Sequence, residues 1–328
     1  MKRRAIVLAT GATALGSALV EPRALGQTVS GPRRVALLSA SSEVNYVSQL
    51  QAFRDGLRER GHVEGRDIVI DIRYAGGRAQ ELPRLAAQLA ALKPAVVIAL
   101  GTPATDAALA ADATTPIVSL GDLVAAGHAA QLGRPGGRVT GISFLPRPLN
   151  AKRLEMLAEL LPNGSSVLNL ADSLALTGSI SMQMIESAGR SLGLEMHAAY
   201  ALTPAEIEMA FIAARKLRVA GVNVLSSPFL HAERARIIRL TASAKLPAIY
   251  QWPETARDGG LMGYGPSQTA MVRQLAGYAS RILAGAKPAD LPIEQPTQFA
   301  LVINLRTART LGLTIPQALL LRADEVIE

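Results

Sequence analysis

From Arg33 onward, short apolar runs alternate with stretches in which apolar residues recur every three to four positions. RVALLSA, ending at Ala40, precedes an amphipathic stretch over 44–60, and DIVIDIRYA precedes another over 79–92. AVVIALG, a short helix starting at Pro103, PIVSLGD and RVTGIS complete the set. Near-continuous apolar strands spaced by helical periodicity predict a parallel sheet covered on both faces, because crossover helices bury both sides of each strand.

Two prolines in SFLPRPLN (143–150) interrupt this rhythm, and it then restarts. SSVLNLADS, LEMHAAYAL, AGVNVLSSPF and LPAIYQWPE are the next strand candidates, with helices predicted over 177–192, 204–217 and 230–244. Thr203-Pro204-Ala205-Glu206 marks a helix start, with an N-cap, a proline in the first turn and a capping-box glutamate. GGLMGYGPS, a helix over 267–283 and FALVINLRTARTLGLTIP follow, too short a tail for a third domain. It must complete the first two, with chain crossings near 143–150, 262–266 and 297–301. The expected architecture is α/β, two Rossmann-like lobes with parallel sheets: 33–145 plus 265–297, and 146–264 plus 298–328. A length of 328 residues suits two domains of ordinary size.

The first residues read differently. Lys2-Arg3-Arg4, an apolar small-residue run over 5–20 and Ala24-Leu25-Gly26 have the layout of an export signal cleaved after Gly26. Arg3-Arg4 leaves open a general or a twin-arginine route. Cleavage would remove four cations and one anion, so the net charge of +8 would fall by three to +5. Much of the basicity is then targeting, and no helix-turn-helix, zinc spacing or aromatic RNA motif focuses the rest on nucleic acid. With no cysteine there is no disulfide and no lipid-bearing cysteine at the cleavage site. The mature chain is expected to be soluble in the periplasm.

Two strands end in glycine beside a small polar residue, Gly101-Thr102 and Gly121-Asp122. Ligands of open α/β sheets bind beyond the carboxyl ends of the strands, where glycine admits close approach and a hydroxyl or carboxylate makes the polar contact. The other ends agree: Ser39-Ala40-Ser41-Ser42, Asp172-Ser173, Ser226-Ser227-Pro228-Phe229 and Trp252-Pro253-Glu254. Each such residue could equally cap the helix that follows it. Of the twelve aromatic residues, Tyr46, Phe144, Phe229, Trp252 and Tyr264 fall in strand-end or crossover segments. They read either as a stacking wall for a ligand or as filling between the domains. His62, His128, His197 and His231 show no metal-ligand spacing and read as surface or structural residues. No G-x-S-x-G, H-E-x-x-H, phosphate loop or G-x-G-x-x-G occurs, so neither catalysis nor a cofactor is expected.

GTPAT, PIVSLGD, RPGGRVTGIS, KRLEMLAELLP, LPAIYQWPE, GGLMGYG and the stretch from AGYASRILAG to the end resemble the ABC transporter substrate-binding family that includes the TrpX-like tryptophan binders. The resemblance covers about residues 33–328 and implies the type I periplasmic binding fold. It further implies a non-enzymatic receptor that closes two lobes on a small solute and presents it to an ABC permease; separately, a monomer is expected. Thr102-Pro103-Ala104, Asp122 and Tyr264-Gly265 match elements of the family's pattern, whereas Leu170-Ala171-Asp172 and Ser226-Ser227-Pro228 depart from it. The implied clamp holds a carboxylate with Ser41, Ser42, Thr102 and the amides after Pro103, and an ammonium with Asp122 or Glu254. The side chain of the solute would lie on Phe144, Phe229, Trp252 or Tyr264, near Ser226 and Ser227. A sensory module of the same fold and an exported α/β enzyme, with Asp122 and Glu254 as its carboxylate pair, are the rival readings.

Overall fold

The computed structural model describes residues 31–144, 146–172 and 179–328. The expected export signal, Leu145 and Ser173 lie outside them. The first half builds β1 (Arg33–Ser39), α1 (Val47–Arg58), β2 (Ile68–Tyr74), α2 (Leu82–Ala91), β3 (Val96–Leu100), α3 (Thr102–Ala111), β4 (Ile117–Gly121) and β5 (Val139–Ser143). Its five strands form a sheet in the order β2-β1-β3-β4-β5 with every neighbour parallel. Side chains alternate between the two faces of a strand. Accordingly Val35 and Leu37 join one apolar cluster and Ala36 and Leu38 the other.

The second half builds α4 (Pro146–Ala158), β6 (Ser166–Ala171), α5 (Ser179–Ser191), β7 (Glu195–Tyr200), α6 (Pro204–Lys216) and β8 (Gly221–Val224). α7 (Pro228–Ala232), α8 (Arg234–Ser243), β9 (Ala248–Tyr250), α9 (Pro253–Arg257) and β10 (Met262–Gly265) follow. The capping box at Thr203 and Glu206 is present in full at the start of α6.

The tail divides between the halves. α10 (Gln268–Leu283) packs Met271, Val272 and Leu275 into the cluster that holds Phe53 and Leu57 of α1, against the first sheet. Glu294 then pairs beside β5, its carbonyl accepting from the Ser143 amide at 2.9 Å. β11 (Ala300–Asn304), α11 (Leu305–Leu311), α12 (Gln317–Leu320) and β12 (Glu325–Ile327) return to the second half. The second sheet runs β12-β11-β10-β9-β8-β6-β7, parallel except where β11 pairs antiparallel with β10.

The glycine-rich run at β10 has a steric cause. A Cβ at Gly263 would lie 2.2 Å from the Trp252 carbonyl oxygen, and one at Gly265 2.3 Å from that of Gln251. β10 therefore packs backbone to backbone on the segment after β9, which sets the height of Trp252. Tyr264, between the two glycines, must point to the other face. Gly263→Ala is expected to cost about 3 kcal/mol of stability, since overpacking against backbone has no flexible side chain to absorb it. A shift of the urea midpoint measures this.

Candidate functional site

The carboxyl ends of the two sheets face one another across a cavity of about 170 Å³. That is close to the engineered protein cavity of about 150 Å³ known to take up benzene, so it admits one aromatic ring with its attached group. The first half contributes Ser41, Tyr46, Thr102, Pro103, Asp122, Phe144 and Gln268. The second contributes Asn150, Asp172, Ser226, Ser227, Phe229, His231, Gln251 and Trp252.

The two glycine-polar strand ends interlock. Gly101 caps α3 with φ of 102°, a conformation that favours glycine, and its α-carbon side faces Pro228 Cγ at 3.3 Å from an ideal Cβ position. An ideal Cβ at Gly121 would lie 3.3 Å from Thr102 Oγ1, so the bare backbone there makes room for the hydroxyl. Asp122 follows directly. Behind them Thr105 and Ser119 share a buried hydroxyl–hydroxyl bond of 2.6 Å that ties α3 to β4.

On the opposite side, Arg153 is 1% exposed and holds three segments together. Its Nε donates to the Tyr264 carbonyl at 2.7 Å and Nη2 to the Gln251 carbonyl at 3.0 Å. Nη1 donates to Asn150 Oδ1 at 2.8 Å and Ser226 Oγ at 3.2 Å. Burial pushes the guanidinium down to about 9, which leaves it protonated at neutral pH. Gln251 adds a clamp: its Oε1 accepts from the Ser227 amide at 2.9 Å and its Nε2 donates to the Ser227 carbonyl at 3.1 Å. Ser227 Oγ in turn donates to Asp172 Oδ2 and accepts from the Leu230 amide, so one hydroxyl fixes a carboxylate and caps α7.

The aromatic residues meet across the cleft. Phe144 and Trp252 stand edge to face with ring centroids 5.5 Å apart, and His231 stands edge-on to Trp252 at 6.3 Å. Ser41 Oγ, Trp252 Nε1 and both ring nitrogens of His231 are buried and have no hydrogen-bond partner in the protein. Burial, with the Arg234 charge as a lesser cause, pushes the His231 imidazole down to about 3 and keeps it neutral.

Nine of the expected residues line the cavity: Ser41, Thr102, Pro103, Asp122, Phe144, Ser226, Ser227, Phe229 and Trp252. Four do not. Ser42 sits outside as the residue before a short 3-10 turn, its carbonyl accepting from the Asn45 amide. Ala104 is wholly buried in the core beneath α3. Glu254 turns away to the start of α10, its Oε1 accepting from the Gln268 amide at 3.0 Å and from Ser267 Oγ at 3.3 Å. Tyr264 points to the far face of β10 and packs on Phe299 with centroids 6.3 Å apart.

His62, His128 and His197 are engaged with Ser280, Asp106 and Glu195 respectively. His231 is buried and lines the cavity, so of the two readings, surface or structural, it is not a surface residue. It lies one helical turn after the Ser227 cap, and that spacing, Ser-x-x-x-His beyond a strand end, was the available signal. Asn150 and Gln268 lie in helices that follow a chain crossing rather than at a strand end, and the Gln251 side chain works on the backbone after β8, so no strand-end signal marks them.

A family model described as ABC transporter substrate binding protein matches residues 35–327. A curated relative, the tyrosine-binding protein of Clostridioides difficile (strain R20291), is 22% identical over 269 residues, 80% of this chain and 76% of the relative. Among solved structures, a conserved domain protein from Vibrio cholerae superposes with a TM-score of 0.82 at 26% identity, covering 90% of this chain and 100% of that one. The ABC domain from Streptococcus pneumoniae in complex with L-Trp gives 0.81 at 23% identity, with the same coverage.

Two outcomes follow for the residues that hold the site. Arg153→Met leaves the Tyr264 and Gln251 carbonyls unpaired and should cost about 2 kcal/mol or more, measured by denaturant unfolding. An unfolded imidazole titrates near 6.5, whereas the buried His231 resists protonation down to about 3. Acid therefore favours the unfolded chain, and the stability held above the unfolded value is lost as pH falls toward the folded one. The melting temperature should drop between about pH 7 and about pH 4 less steeply in His231→Gln than in the wild type.

Proposed function

Because the chain belongs to the ABC transporter substrate-binding protein family, we propose that it is the solute receptor of an importer and that its solute is an aromatic amino acid or a related aromatic carboxylate. The lining of the cavity carries this reading. Its aromatic wall of Tyr46, Phe144, Phe229 and Trp252 suits a ring, and its two carboxylates, Asp122 and Asp172, come one from each half. No lysine or arginine is among the described residues that line it. A wall of this kind favours a solute with an ammonium group.

The carboxylate of the solute is assigned to the start of α3, where amides and the positive end of the helix dipole favour an anion. Thr102 Oγ1 and Ser41 Oγ lie at that end, the latter with no partner in the protein. Glu254 caps α10 through Oε1 and does not line the cavity, which leaves the ammonium to Asp122 and Asp172. The relatives named for tyrosine and for L-Trp support the aromatic class.

Contacts between the halves suit a receptor that closes on its solute: Phe144 on Trp252, Gly101 against Pro228, and Asn45 Nδ2 donating to the Ala232 carbonyl at 2.9 Å. Hinge motion at the three chain crossings would open them. The closed form would dock on a membrane permease and release the solute without chemical change. We place the mature chain in the periplasm as a monomer, exported by the signal read at its start, with the general or twin-arginine route open.

Thr102→Ala and Asp122→Ala should each weaken binding of L-tyrosine or L-tryptophan at least about tenfold, the scale of one charge-assisted hydrogen bond. The unliganded melting temperature should move little. Titration calorimetry on both variants decides it, and unchanged affinity in both removes these residues from the site.

A further inference from the structure

We infer that His231 and Trp252 together select a solute whose ring carries a hydroxyl, so that a phenol is held in preference to an indole and an indole in preference to a bare phenyl ring. This inference rests on the reading of the cavity as an aromatic solute site and specifies the solute within it.

The basis is a set of buried polar atoms without partners on two residues that line the cavity. Trp252 Nε1 is a donor with no acceptor in the protein. His231 is 5% exposed, and neither of its ring nitrogens has a partner. A neutral imidazole has one N–H and one bare nitrogen, whichever tautomer is present. The pair therefore offers two donors and one acceptor, on rings that stand edge-on with centroids 6.3 Å apart. Both residues line the same cavity.

A buried polar group that stays unmet costs free energy, so a solute that satisfies it gains selectivity over one that does not. A phenolic hydroxyl both accepts and donates, and can take one N–H bond while giving its proton to the bare imidazole nitrogen. An indole N–H only donates, so it meets the imidazole nitrogen and leaves both donors unmet. A phenyl ring meets none of the three. Sites built to bond a hydroxyl reject the analogue lacking it far more strongly than apolar pockets reject a change of one methylene.

His231 is held for this role by its backbone. Its amide donates to the Ser227 carbonyl at 3.0 Å within α7, and α7 is pinned by the Ser227 cap and by the Gln251 clamp. The ring is thus placed by the elements that shape the second half of the cavity.

The test is titration calorimetry of the full mature chain with L-tyrosine, L-tryptophan and L-phenylalanine, and with the pair 3-(4-hydroxyphenyl)propionate and 3-phenylpropionate. The expected affinity order is L-tyrosine, L-tryptophan, L-phenylalanine, with the hydroxylated member of each matched pair bound about 100-fold more tightly or better. His231→Phe should reduce that ratio below about tenfold while still binding the phenyl compounds, and His231→Gln, which restores a donor and an acceptor, should recover part of it. Because the readout is a ratio within one variant, a general loss of stability does not imitate it. Equal binding of the matched pairs by the wild type, or an unchanged ratio in His231→Phe, overturns the inference and leaves the aromatic site standing. Binding of none of the five compounds overturns the aromatic reading and the inference with it.

Discussion

One indole joins the two halves of this molecule. Trp252, the chain's single tryptophan, follows a strand of the second sheet, yet its side chain is 5% exposed within the apolar cluster of the first. Its carbonyl sits where a side chain at position 263 would be, its ring meets Phe144 edge to face, and His231 closes on its other edge. An aromatic pair of this geometry contributes about 0.5–1.5 kcal/mol beyond the area it buries. A contact of that size is readily made and broken, and both of its rings line the cavity. Position and packing converge on the same ring.

Behind the ring, rigidity comes from polar groups. Arg153 gathers the Tyr264 and Gln251 carbonyls with Asn150 and Ser226, and Gln251 holds both backbone groups of Ser227. A buried guanidinium is costly unless its hydrogen bonds are met, and here four are. The same bonds fix the loops after β8 and β9, so the shape of half the cavity depends on a residue that does not line it. The first half is shaped more simply, by the interlocking of Gly101, Thr102 and Gly121 and by the Thr105–Ser119 bond.

Much of this was legible in the sequence because parallel strands buried on both faces leave an unmistakable apolar pattern and because their carboxyl ends collect ligands. The tail is too short to fold alone, and its α10 packs on the first sheet while β11 and β12 join the second. Where a side chain turns after a strand end was not legible. Glu254 has the right position but caps α10, and Tyr264 has the right neighbours but, by strand alternation, faces Phe299. Both outcomes depend on three-dimensional partners far along the chain. His231 is the opposite case: histidine spacing in a sequence signals metal ligation, whereas here burial keeps the ring neutral and both its nitrogens lack a partner in the protein.

The central claim, that the cavity between the sheets holds a small aromatic solute unchanged, is tested most directly by mass spectrometry of the compounds released when the purified protein is denatured. The account predicts an aromatic amino acid or aromatic carboxylate in amounts stoichiometric with the protein, and its loss from Asp122→Ala. A released sugar or nucleotide would contradict it.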